Sequence, residues 1–263
     1  MPTWTNQKIL NTALKQSATD LGCKPEDFLR PDSIVVASQA EPRARKYLEL
    51  PFSCNLVSYG NNVVASTDEA YRDLVSAYIH RFPPEHCFET PNLHILNDAL
   101  QKKGHRVCFM AEYFLPDLSA LKPIRCWEYE LRLLGPADFG PLYIDQWSNA
   151  LCEKRKELDV LGIGAYDGET LVGFAACSAD CEDMWQIGVD VLPEYRREGI
   201  ASALTSRLAL EILERGKVPF YCAAWCNVKS VRNAIKSGFR PTWVEMTAKP
   251  AAYVENMNAG EKV

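Results

Sequence analysis

The 263-residue sequence predicts an α+β protein: a mixed β-sheet flanked by helices in the C-terminal half, preceded by a smaller α+β domain. Three observations carry this expectation. From Glu128 onward, segments of strand and helix character follow the order β-α-β-β-β-α-β-α-β, which a mixed sheet covered by helices accommodates. Asp167-Gly168 lies between two alternating apolar runs, a strong hairpin signal. Leu115–Lys122 (LPDLSALK) contains Pro116 and is followed by Pro123, so it reads as a linker between a domain at 1–122 and one at 123–263.

The elements follow in order. Thr5–Leu21 spaces Ile9, Leu10, Ala13, Leu14 and Leu21 for one helical face, and Gly22 is a stop signal. Ser33–Ser38 is a short β-branched run. Cys54–Tyr59 and Val63–Ser66 flank Gly60-Asn61-Asn62, which tolerates left-handed backbone and predicts a hairpin. Asp68 can cap a helix reaching about His80, before Pro83-Pro84. Asn92–Lys103 is a third helix and Val107–Tyr113 a strand. This N-terminal portion carries no recognisable catalytic motif.

In the C-terminal portion, Glu130–Leu134 is a strand and Pro136–Glu157 helical, with a break possible at Gly140-Pro141. Val160–Tyr166, Leu171–Ala176 and Trp185–Leu192 are strands. Gly199–Arg215 is a helix, with Ile200, Leu204, Leu208 and Ile212 at four-residue spacing and Gly216 after it. Phe220–Trp225, Val228–Ser237 and Pro241–Thr247 complete the pattern as strand, helix and strand. Asn256–Val263 is expected to fray.

Composition narrows the function. A formal net charge of −5 argues against sequence-independent binding of nucleic acid, which needs a basic surface to displace counterions. No apolar run is long enough for a membrane span, and Met1–Leu10 lacks the basic start and apolar stretch of a secretory signal. The ten cysteines then fit reduced thiols in a cytoplasmic protein. Cys177/Cys181 and Cys222/Cys226 are spaced by four with no histidine nearby, so no metal site is expected.

Val189–Ala203 (VDVLPEYRREGIASA) carries the chemistry. An apolar strand stops at Pro193, a tight turn with two arginines follows, and an amphipathic helix begins at once. The first amides of a helix lack intrahelical acceptors, and its dipole leaves positive potential there, so a diphosphate is a natural partner. Gly199 admits close approach of a ligand, and Ala201 is nearly as small. The P-loop pattern is absent, and Gly162-Ile163-Gly164 lacks the third glycine of a dinucleotide fingerprint.

Arg196-Arg197-Glu198-Gly199-Ile200-Ala201 resembles the Arg/Gln-x-x-Gly-x-Gly/Ala signature of the GNAT acyltransferase superfamily, and Val191-Leu192-Pro193-Glu194-Tyr195 resembles its lead-in. Asn227-Val228-Lys229-Ser230, then Gly238-Phe239, match its second motif in type and spacing. The resemblance covers about Glu128–Lys249. It implies a GNAT-like sheet and an acetyl-CoA-dependent N-acetyltransferase acting on a small-molecule or peptide amine by direct attack on the thioester.

Carried over by motif, backbone groups of Val189 and Val191 would hold the pantetheine arm. Amides of Arg197, Glu198, Gly199, Ile200, Ala201 and Ser202, beside Arg196, would hold the diphosphate. Asn227 and Ser230 would touch the cofactor from the other side. Candidate general bases are Glu182 and Asp183, in the turn before the strand, and Asp190 on it. The family commonly places a tyrosine seven residues after the motif asparagine; Ala234 stands there, with Tyr221 and Tyr195 as substitutes. The alternative function is an acyl-CoA-binding sensor or scaffold without turnover. The N-terminal domain is expected to cover the acceptor end of the cleft.

Overall fold

The computed structural model describes residues 3–260. It begins with α1 (Asn6–Leu21), β1 (Ile34–Ala37), β2 (Cys54–Ser58), β3 (Val64–Thr67), α2 (Arg72–Ile79), α3 (Thr90–Gln101) and β4 (His105–Pro116). Then come β5 (Glu130–Leu134), β6 (Asp159–Asp167), β7 (Thr170–Ser178) and β8 (Met184–Val191). The chain continues through α4 (Ile200–Glu214), β9 (Val218–Ala223), α5 (Val228–Lys236), β10 (Phe239–Pro250) and α6 (Ala251–Asn258). No helix among the described residues is long and apolar enough to cross a membrane.

Two compact units divide the chain, and each is assembled from two stretches. One takes the residues up to Ala13 with Tyr113–Pro241; the other takes Leu14–Glu112 with the residues from Thr242 onward. A single boundary near residue 122 does not describe this interleaving. The stretch predicted as linker is also structured: Leu115 and Pro116 end β4, and Leu121 is buried. A Cβ added to Gly238 would lie 2.5 Å from Leu121 Cα, so this segment is seated against the turn after α5.

In the first unit, strands β5 to β8 form an antiparallel meander, and β9 adds parallel to β8. The order β9-β8-β7-β6-β5 is a mixed sheet, as the sequence predicts. Gly168 takes the left-handed conformation in the β6–β7 turn, with φ 58°. One face is covered by α4, whose Ile200, Leu204, Leu208 and Ile212 are all buried. The other face packs Phe174 and Ala176 against Phe139, Trp147, Ala150 and Leu151. These four come from 136–157, where the sequence suggests a helix with one break. The segment instead forms short 3₁₀ turns, because Pro136, Gly140 and Pro141 interrupt any longer ladder.

The second unit has the sheet order β1-β3-β2-β10, with β1 parallel to β3 and the other pairs antiparallel. The predicted β2–β3 hairpin is present, and Asp68 accepts from Ala70 N at 2.8 Å in the turn leading to α2. Leu56, Ala65, Val75, Ile79, Leu96, Leu100 and Met246 form its apolar core. The tail expected to fray from Asn256 is helical through Asn258, as the end of α6; residues 261–263 lie outside the described residues.

A buried ionic network ties this unit together. Arg45 donates from Nε to Asp20 Oδ2 at 2.5 Å and from Nη2 to Glu245 Oε2 at 3.0 Å. Asn55 donates to Glu245 Oε1 at 3.1 Å, and Thr247 Oγ1 to Asn55 Oδ1 at 2.5 Å. All of these charged groups are under 5% exposed. Removing the guanidinium would strand two carboxylates in the core, so Arg45→Leu is expected to lower stability by about 3–5 kcal/mol, measured by urea unfolding.

Candidate active site

The site is built where β8 loses its second neighbour. Leu192 N donates to Val172 O at 2.9 Å, and the β7–β8 register pairs Asp190 with Phe174 and Gly188 with Ala176. In an antiparallel ladder, residues alternate in the edge that their N–H and C=O groups face. Gln186, Gly188 and Asp190 therefore face β7, while Ile187, Val189 and Val191 face the β9 side. On that side the parallel pairing runs only from Met184↔Val218 to Gln186↔Phe220. Beyond it, the backbone of Val189 and Val191 lies along an edge where pairing with β9 has ended.

The turn after β8 prepares an anion site. Pro193–Tyr195 makes a 3₁₀ turn, Arg197 adopts φ 74°, and Gly199 adopts φ 90° immediately before α4. Arg197 is a non-glycine residue with positive φ, a conformation that costs about 1–3 kcal/mol when held by its surroundings. Among the described residues, no acceptor meets the N–H groups of Arg197, Glu198, Gly199, Ile200, Ala201 or Ser202; the first α4 amide with a partner is Ala203, donating to Gly199 O at 3.0 Å. Such a run of unspent donors at the positive end of a 15-residue helix suits a phosphate group.

Charge reinforces the arrangement. Arg196 Nε donates to Val191 O at 3.0 Å, bracing the turn against the end of β8. The Lys236 ammonium, at the end of α5, lies 4.0 Å from where a Cβ on Gly199 would stand. A cation beside a positive helix end is unfavourable by itself and becomes favourable with an anion between them.

Residues 127–243, the span that holds this strand edge and turn, match the model of the GNAT acetyltransferase family. Residues 127–243 belong to the GNAT acetyltransferase family. Among solved structures, the chain is similar to a GCN5-related N-acetyltransferase from Sphaerobacter thermophilus, with 13% identity, 94% of each chain covered and a TM-score of 0.48. It is also similar to a GCN5-related N-acetyltransferase-like protein from Streptococcus suis (21% identity, 60% of this chain and 69% of that one, TM-score 0.47). A third is an acetyltransferase of the GNAT family from Colwellia psychrerythraea, at 14% identity, 61% and 63% coverage and TM-score 0.41. The chain spans 66% of the length of the first of the structures matched and 58% of another. No curated protein matches it.

Within the GNAT domain, side chains of the motif are often spent on the fold. Glu198 accepts a hydrogen bond from Tyr129 OH, which pushes the phenol up; Ile200 fills the space left by Gly173, where a Cβ would meet its Cγ2 at 2.6 Å. Ser202 Oγ donates to Asn233 Oδ1 at 3.0 Å, tying α4 to α5. These residues offer a ligand their amides. Asn227 caps α5, its Oδ1 accepting from Ser230 N at 3.2 Å, and Ser230 Oγ lies 2.7 Å from Tyr221 OH.

The three candidate bases are not gathered at one point. Asp190 accepts from Asn149 N at 2.9 Å, Asn149 Nδ2 at 2.6 Å and Ala150 N at 3.0 Å, so both oxygens anchor the turn after Trp147. Gly188 makes room for that turn, since a Cβ there would sit 1.8 Å from Asn149 O. Glu182 and Asp183 are exposed at the opposite end of β8, where it pairs with β9, roughly 20 Å of extended chain away. Asp183 lies 3.9 Å from Lys217 Nζ.

Lys236, Gly188 and Tyr129 are not marked by any sequence motif, and only the fold brings them to this region. Gly188 left the one available signal, a glycine inside an apolar strand, which commonly marks close backbone approach. Asp190→Ala is expected to lower stability by about 1–3 kcal/mol in urea unfolding, because it orphans three donors, while coenzyme A affinity stays within about twofold by calorimetry.

Proposed function

We propose that this chain is an acetyl-CoA-dependent N-acetyltransferase that moves an acetyl group to a primary amine of a small molecule or peptide by direct attack on the thioester. The observation that carries this is the run of acceptorless amides from Arg197 to Ser202 beside the open edge of β8, inside a GNAT acetyltransferase domain.

In this reading the backbone of Val189 and Val191 pairs with the amide-bearing pantetheine arm, as a missing strand would. The amides from Arg197 to Ser202 hold the diphosphate, with Arg196 bracing the turn and Lys236 adding charge from α5. Asn227 and Ser230 border the same site from the β9–α5 side. An amine attacks only after losing its proton. With Asp190 committed to its turn, and Glu182 and Asp183 at the far end of β8, a water is left to accept that proton. Donors on the unpaired strand edge would polarise the thioester carbonyl, the electrostatic part of the rate enhancement.

Calorimetric titration with coenzyme A tests the binding half. Paired Gly199→Asp and Ala201→Glu substitutions place anions and bulk in the cradle, and affinity is expected to fall more than about 100-fold. Lys236→Gln is expected to weaken binding by about 5- to 10-fold through loss of one charge contact. Unchanged affinity in the double variant would remove the basis of the assignment. Thiol release from acetyl-CoA across a panel of amines tests the chemistry. Saturable binding with no turnover on any amine would favour the acyl-CoA sensor instead.

A further inference from the structure

Trp127 is 81% exposed, more than any other large apolar side chain among the described residues. It belongs to the approach to β5, a segment outside both sequence motifs. The guanidinium of Arg125 lies over its ring, 4.7 Å from the centroid, and covers one face. With so much of the residue still in water, the opposite face is bare. One exposed apolar side chain is ordinary by itself. What makes this one informative is where the chain holds it.

Two anchors set that position. Ile124 N donates to Ser206 Oγ, in the second turn of α4, at 3.2 Å. Tyr129 OH donates to Glu198, the residue before Gly199. The segment from Ile124 to Tyr129 therefore runs back along α4 to the turn that begins it. Tyr129 is braced there, its ring meeting Tyr195 edge to face at 5.9 Å while Tyr195 OH donates to Asp167 Oδ2 at 3.2 Å. Two residues of chain reach at most about 7 Å, so Trp127 is tethered beside that turn. The same turn carries the acceptorless amides of Arg197 to Ser202.

We infer that the bare face of Trp127 is the stacking platform for the adenine of coenzyme A. The inference rests on the acetyl-CoA reading of the same turn. In coenzyme A a single ribose joins the adenine to the diphosphate, so a diphosphate held on these amides leaves the base within reach of the neighbouring surface. A purine presents a flat π-face, and an aromatic ring beside a phosphate site takes that face without reading the base edges. Arg125 behind the indole restrains it, so less side-chain freedom is lost when a base docks. Glu128 and Glu198 lie next to this surface, and their carboxylates would repel a further phosphate but not a neutral base.

The full chain is titrated calorimetrically with coenzyme A and with 4′-phosphopantetheine, which keeps the arm and one phosphate but has no adenine. Trp127→Ala is expected to weaken coenzyme A about 5- to 100-fold and to leave 4′-phosphopantetheine within about twofold. Trp127→Phe keeps a ring and is expected to hold coenzyme A within about threefold of the wild type. Indole emission of the wild type is expected to fall as coenzyme A binds, and most of that fall to vanish in Trp127→Phe. The ring packs against little of the fold, so both variants are expected to fold as the wild type does. Unchanged coenzyme A affinity in Trp127→Ala, an equal loss for the two ligands, or quenching that survives in Trp127→Phe would overturn the platform and leave the cofactor reading standing. A wild type that fails to bind coenzyme A would overturn both.

Discussion

The candidate site depends on one interruption in backbone pairing. A strand inside a sheet spends its N–H and C=O groups on two neighbours, and β8 does so only as far as Gln186. From there to Val191 it keeps β7 on one edge and leaves the other without β9. Unspent backbone groups away from water are costly, so such an edge is stable when solvent or an extended ligand completes it. The same logic governs the turn beyond: six successive amides without acceptors and a strained Arg197 form a surface that an anion would complete. The site is therefore mostly backbone, and the side chains of the motif serve largely to hold that backbone in place.

This explains what could be seen in the sequence. Gly199, the small Ala201 and the strand–turn–helix order are local properties, written in consecutive residues, and the structure places the turn and helix where they predict. The α4 face is equally local, since four-residue spacing of Ile200, Leu204, Leu208 and Ile212 needs no tertiary information. The hairpins at Gly60–Asn62 and Asp167-Gly168 belong to the same class.

What was illegible is what arises across long sequence separations. A carboxylate amid apolar strand residues looks like a reactive group, yet the donors that occupy Asp190 come from Asn149 and Ala150, about 40 positions upstream. Lys236 reaches the turn at Gly199 only because α5 packs beside the start of α4. The segment 136–157 has apolar residues at intervals that suit a helix, but each short turn exists to seat Phe139 or Trp147 on the sheet. Leu115–Lys122 looks like punctuation because of its prolines, while its actual role is to pack closely on Gly238.

The interleaved construction has a consequence for how the chain reaches its fold. β10 starts in the first unit and finishes in the second, where it delivers Glu245 to Arg45. A ribosome releases residues in order, so neither half can close its core when only the leading half has emerged. Arg45 and Asp20 must wait, unneutralised by Glu245, until some 200 further residues have been synthesised. Biogenesis of this protein is thus expected to be largely post-translational, with long exposure of the early strands to chaperones.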